Sequence, residues 1–349
     1  MKFIASTGLI ARILFSLSVV SFSISNVLGQ ETFYKRGLTD HFVDWLNANK
    51  NYYPYHFNRT EFFGGSFGGK ENDTTPIARR PVIFVHGGAD RLIGSNETFN
   101  GFRYSIEYFL QHGYTKAEIY GSMWGYADEA TENQMVFSTE WILQIRTFIK
   151  AVLEYTGAEQ VDVISHSAGV VFSRAVLKGG FWDLDVGQPV YVGEPLSHKV
   201  RTFIGIAGSN FGRMLCVDEE QLRLIRFCNK DNGMFPGSKD TPGLQPKDIS
   251  NILARLNKDN TREAEHTYAM YGLHDQTKPG NFVYSRRTSE YPTMDRAVVF
   301  NATEYDHDGS RDLTCDVQYA IVNLENHQEL HNNTRYIVRK GDDNITVLE

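Results

Sequence analysis

The sequence predicts an α/β protein, a mostly parallel sheet flanked by helices with an inserted lid-like or cap-like segment. Three observations predict it. Short, continuous apolar runs alternate with longer stretches of helical spacing, the pattern of strands joined by crossover helices. The first such run, Pro81-Val82-Ile83-Phe84-Val85, ends in His86-Gly87. A β-branched run at 161–164 passes straight into helical spacing through Ser165-His166-Ser167-Ala168-Gly169.

Ahead of the first run, residues 1–29 read as a signal peptide. Lys2 and Arg12 precede an apolar run at 13–20, and Val27 and Gly29 place small residues before a cleavage point at Gln30. The run is too short and too rich in Ser for a transmembrane anchor. Residues 30–349 are then one domain. Its 41% hydrophobic content suffices for one large core. A net charge of −7 argues against a nucleic-acid partner. Asn58, Asn72, Asn96, Asn301, Asn332 and Asn344 each open an N-glycosylation sequon, which fits export. Cys216 and Cys228, close together in a polar insertion, are expected to form a disulfide, leaving Cys315 unpaired or paired with another chain. Three such cysteines without His at ligand spacing give no metal site, and no cofactor is expected.

The elements follow in order. Residues 40–46 read as a short amphipathic helix, and 50–79 as a surface loop. The loop's Gly64-Gly65-Ser66-Phe67-Gly68-Gly69 lacks the Lys and the following helix of a phosphate cradle. After the strand at 81–85, residues 98–110 read as a helix with Phe102, Ile106, Phe109 and Leu110 on one face. A strand at 117–120 precedes a long helix at 133–155 with an apolar stripe from Trp141 to Val152. The strand at 161–164 and its helix come next, then a connection at 179–199 and a strand at 200–208. Residues 209–262 form the polar insertion. Within it, Ile249, Ile252, Leu253 and Leu256 keep helical spacing. That helix reads as a lid or as a flank of the sheet; the flanking role is preferred for 248–257 and the lid role for 211–245. Strands at 267–271 and 296–300, a helix at 312–324 and a tail complete the chain.

Ser165 and Gly169, two residues either side of Ser167, let a strand reverse sharply into a helix and push the Ser167 side chain out at the sheet end. A Ser hydroxyl needs an imidazole base, and that imidazole needs an acid to hold its tautomer. Carboxyl ends of parallel strands share one crevice. Asp275 follows the strand at 267–271 and His307 follows the strand at 296–300, so Ser167, Asp275 and His307 are the expected nucleophile, acid and base. The backbone N–H groups of Gly88 and Ala168 are the expected oxyanion donors. Among competitors, His274 adjoins the acid, and His327 and His331 lie in the polar tail. His166 is expected to point elsewhere, Asp295 precedes a strand, and Asp306 and Asp308 are expected to shape the loop of His307.

These residues together resemble the class 2 lipases, a family of the α/β-hydrolase superfamily that includes secreted nematode proteins. The resemblance spans about Pro81 to Cys315. It is carried by 81–87, by 161–169, by 202–210, by Tyr271-Gly272-Leu273-His274-Asp275 and by Asp306-His307-Asp308. It implies an α/β-hydrolase fold. It also implies hydrolysis of carboxylic esters through an acyl-enzyme, with an acylglycerol or other ester substrate met at a lipid–water interface. A short-chain esterase and a hydrolase-fold binding protein without catalysis are the alternatives. Ser165 departs from the usual Gly or Ala, and the insertion is longer than in minimal bacterial members.

Overall fold

The structure, a computed structural model, describes residues 37–94, 100–125, 133–185, 187–238, 246–277, 281–325 and 329–341. The expected signal peptide and the sequons at Asn96 and Asn344 lie outside the described residues.

Helix α1 (Asp40–Ala48) is capped by Thr39, whose hydroxyl accepts from Phe42 N, and it buries Phe42 and Leu46. The segment expected as a surface loop instead contributes strand β1 (Ser66–Phe67), wholly buried. Its glycines lie buried with it: a Cβ on Gly68 would collide with Ile119 O in the neighbouring strand, and Cβ atoms on Gly64, Gly65 and Gly69 would collide with Ile93, Arg59 and Thr39. Strands β2 (Val82–Val85) and β3 (Ile119–Ser122) flank helix α2 (Arg103–Gln111). That helix starts later than its spacing predicts, because the backbone at 100–102 pairs back with 92–94. Helix α3 (Thr139–Thr156) likewise begins only after Ser138, whose hydroxyl accepts from Trp141 N at 3.2 Å.

Strand β4 (Val161–His166) runs into helix α4 (Ala168–Lys178), every residue of which is buried. The supposed connection at 179–199 holds an antiparallel hairpin, β5 (Gly180–Asp183) and β6 (Pro189–Gly193). Strand β7 (Val200–Ile206) precedes the insertion, which holds short helix α5 (Glu219–Leu224) and helix α6 (Asn251–Lys258). Then come β8 (His266–Gly272), a small hairpin of β9 (Phe282–Val283) and β10 (Arg286–Arg287), and β11 (Arg296–Phe300). The final helix breaks into α7 (Gly309–Asp312) and α8 (Cys315–Val322), and the tail carries strand β12 (Tyr336–Lys340).

The main sheet runs β1-β3-β2-β4-β7-β8-β11-β12. The six interior strands pair in parallel, and β1 and β12 close the ends antiparallel. Both faces are buried, as parallel sheets require. Ile83, Val85 and Val163 pack with Ile142, Ile149 and Val171 on one face; Phe84 and Ile164 pack with Ile106, Phe109 and Ile321 on the other. The order places β3 on one side of β2 and β4 on the other. The crevice at that reversal lies between the turn after β2 and the elbow after β4, where such sheets place ligands.

A buried ion cluster ties α4 to the insertion. Arg174 Nε donates to Glu263 Oε1 at 2.8 Å, and Lys178 Nζ lies 3.3 Å from the same oxygen, with all three side chains fully buried. Arg174 also donates to Asn210 and Asn257. Glu263→Ala leaves two cations in the core without their anion. It is expected to cost about 3–5 kcal/mol in urea unfolding, against a much smaller loss for surface pairs such as Arg262–Asp295.

Asp162, fully buried in β4, lies 3.2 Å from Arg80, and its Oδ1 has no hydrogen-bond partner among the described residues. Burial raises its carboxyl to about 6, Arg80 opposing the rise. Folding therefore favours the protonated acid. This component of stability is complete below the ordinary Asp range and is lost as pH climbs to about 6. Asp162→Asn is expected to remove that loss. Its melting temperature should exceed that of the wild type at pH 8 by more than it does at pH 4.

Candidate active site

The elbow is built by forcing. Ser167 adopts φ 53° and ψ −125°, a region that a non-glycine residue enters only when its surroundings over-determine it. Two glycines permit it. A Cβ on Gly169 would collide with the carbonyl oxygen of His86, and one on Gly87 would lie 3.1 Å from the Cβ of Ser167. The turn after β2 and the start of α4 therefore approach backbone to backbone. Ser165, fully buried, has its hydroxyl 2.8 Å from that of Ser173 on α4. This accounts for a polar residue at the first elbow position: it is small, and its hydroxyl is bonded.

The loops after β8 and β11 bring the other two groups in. His307 Nε2 lies 2.9 Å from Ser167 Oγ, and its Nδ1 lies 2.8 Å from Asp275 Oδ2. Asp275 is 1% exposed, and its Oδ1 accepts from the Thr277 backbone N–H at 2.9 Å and the Thr277 hydroxyl at 2.7 Å. The buried carboxylate is thus satisfied on both oxygens, and Nδ1 of His307 takes the donor role toward it. His274 is exposed, Asp295 pairs with Arg262, and Asp306 accepts from Gly309 N within its own loop.

The turn after β2 is fixed by His86. Its Nδ1–H donates to the Gly87 carbonyl at 2.7 Å, and its Nε2 accepts from Trp124 N at 3.1 Å. The Trp124 ring stacks on it at 5.2 Å and donates its Nε1–H to the His86 carbonyl. Burial lowers the His86 imidazole to about 3, the bond to Gly87 opposing, so this ring stays neutral. Gly88 follows, half-buried, at the mouth of the crevice. Ala168 begins α4, where the N-terminal end of the helix favours negative charge.

Sequence reasoning placed Ser167, Asp275 and His307, and the fold brings all three together. It misplaced His166. That ring does not point elsewhere: its Nε2–H donates to the His307 carbonyl at 3.0 Å, because the loop of His307 folds back over the end of β4. Thr277 was missed, and nothing in the sequence marked it. Cys216 and Cys228 form a disulfide with a Cα–Cα distance of 5.0 Å, and Cys315 is free and buried. Of the described sequon residues, Asn72, Asn301 and Asn332 are exposed. Asn58 is half-buried and accepts from Leu38 N. Helix α6 buries Ile252, Leu253 and Leu256 in the core, whereas Leu215, Val217 and Leu224 in the earlier part of the insertion are exposed.

The sequence model described as lipase (class 2) matches residues 79–320. The chain belongs to the class 2 lipase family. The matched stretch contains Ser167, Asp275 and His307, and the mainly parallel, helix-flanked sheet of this chain is an α/β-hydrolase fold. No curated protein matches its sequence. Among the solved structures that resemble it are the following three. A bifunctional GH43-CE protein of Bacteroides eggerthii is 13% identical, with 72% of this chain and 32% of that one covered and a TM-score of 0.43. Lipase B of Aspergillus fumigatus is 15% identical, with 71% and 53% covered and a TM-score of 0.39. The mature BlEst2 lipase of Bacillus licheniformis is 13% identical, with 74% and 98% covered and a TM-score of 0.42. The chain thus spans about a third of the first of these chains and about half of the second.

The bonded serine pair of the elbow gives a direct test. Ser165→Ala strands the buried hydroxyl of Ser173 and is expected to cost roughly 1–3 kcal/mol in urea unfolding. The double variant Ser165→Ala/Ser173→Ala should recover most of that loss.

Proposed function

We propose that this protein is a secreted serine carboxylic-ester hydrolase acting on acylglycerols through an acyl-enzyme. The observation that carries the reading is the continuous relay from Ser167 Oγ through the His307 imidazole to the buried carboxylate of Asp275, at 2.9 and 2.8 Å. In this reading Ser167 Oγ attacks the ester carbonyl carbon while His307 Nε2 takes its proton. Asp275 holds Nδ1–H and offsets the charge the imidazole gains. The negative oxygen of the tetrahedral intermediate accepts from the backbone N–H groups of Gly88 and Ala168. Collapse breaks the bond to the alcohol, which leaves with the proton from His307. Water then repeats the sequence on the acyl-serine, and its proton passes through His307 back to Ser167.

Export is supported by the signal-like residues 1–29, by the disulfide and by exposed sequons at Asn72, Asn301 and Asn332, the glycosylation sites this reading expects first. Asn58, Asn96 and Asn344 complete that set. No helix among the described residues is long and apolar enough to cross a membrane. Exposed Leu215, Val217 and Leu224 support a lipid-facing role for the first part of the insertion, over a lid role for α6. A short-chain esterase uses the same relay and differs only in acyl preference. A non-catalytic binding role fits poorly with three intact, mutually bonded groups.

Ser167→Ala is expected to lower hydrolysis of p-nitrophenyl esters by roughly 10⁴-fold or more with an unchanged melting curve. It should also abolish labelling by a fluorophosphonate. Undiminished turnover in that variant would overturn the assignment. An acyl-chain series on the wild type then separates lipase from esterase: rates should rise with long chains presented as an emulsion.

A further inference from the structure

Arg311 is 1% exposed and stands at the loop end of the sheet, on α7. Its guanidinium reaches three separate elements. Nη1 donates to Asp90 Oδ2 at 2.7 Å, in the turn after β2. The same Nη1 lies 3.3 Å from His166 Nδ1, at the end of β4. Nε donates to Asp312 Oδ1 at 2.6 Å, and Nη2 lies 3.4 Å from Asp308 Oδ1, both in the loop and helix that follow His307.

Each contact leads on to the reacting groups. Asp90 spends its other oxygen on the backbone N–H groups of Arg91 and Gly101, at 2.8 and 3.2 Å, which fixes the turn that carries Gly88. An arginine only donates, so His166 Nδ1 is the acceptor and the proton of that ring sits on Nε2. That Nε2–H is the group bonded to the His307 carbonyl, and the two imidazole rings lie 4.8 Å apart. One planar cation therefore sets the tautomer of His166, and through it the main chain of His307. Burying a guanidinium is costly unless its geometry is filled, and a lysine cannot present donors along all these directions at once.

We propose that Arg311 is the positioning residue of this site: through His166 and Asp90 it holds His307 and the Gly88 turn in register with Ser167. The inference rests on the reading of Ser167, His307 and Asp275 as the reacting groups.

The test compares purified full-length wild type with His166→Phe, His166→Gln and Arg311→Lys. It measures kcat and KM on one soluble p-nitrophenyl ester, the melting curve, and the far-downfield proton resonance of His307 Nδ1–H. His166→Phe keeps the ring volume and every ion pair of Arg311 but removes the bond to His307. Its kcat is expected to fall between about ten- and a hundredfold at nearly constant KM, with the downfield resonance broadened or shifted. His166→Gln, which can still donate to the His307 carbonyl, should recover part of that loss. Arg311→Lys should behave like His166→Phe; should it fail to fold, the two His166 variants decide. A folded His166→Phe with wild-type kcat and an unmoved resonance overturns the proposal. So does a loss carried by KM, or one that Gln does not relieve. A wild type that neither turns over the ester nor reacts with a fluorophosphonate instead overturns the reading of the triad. The resonance still reports whether His166 places the ring.

Discussion

The loop end of this sheet depends on one backbone residue held where its side chain is unwelcome. Ser167, at φ 53° and ψ −125°, carries a strain on the order of 1–3 kcal/mol. The strain persists because both sides of the turn are locked. Ahead of it, β4 lies in the middle of the parallel sheet, and Ser167 N still donates to Ile206 O at 2.9 Å. Behind it, α4 is buried along its whole length and bound by Arg174 and Lys178 to Glu263 and to Asn210, Asn257 and Asp259 of the insertion. The ion cluster at the far end of α4 therefore bears on the position of a hydroxyl at its near end.

Much of this is legible in the sequence. Apart from Asp162 and Arg296, the runs at 81–85, 161–164 and 296–300 are apolar on both faces, as strands buried on both sides of a parallel sheet are. What escaped reading had weak local signals. Strand β1 is two residues long. Strands β5 and β6 leave Phe181 and Tyr191 exposed, which spoils the alternation that marks a strand. Strand β12 holds Arg339 and Lys340 and forms because β11 offers it a free edge, a property of the sheet and not of residues 336–340.

The site divides the same way. Ser167, Asp275 and His307 stand at strand ends, so their positions follow from the strands. His166 and Arg311 owe their roles to contacts across 141 and 221 residues of chain, which no local pattern reports. Thr277 bonds Asp275 from two residues away, yet a Thr at that spacing is common wherever a turn follows an Asp.

The two borders of the sheet have a consequence for how copies of the molecule can meet. A strand with unfilled N–H and C=O groups is a template for another chain. Here one border is only two residues long and buried, and the other ends in Arg339 and Lys340, with Arg335 just before it. Cross-chain ribbon growth meets either no length or a row of cations. Extension of the main sheet by a second copy is therefore disfavoured at both borders.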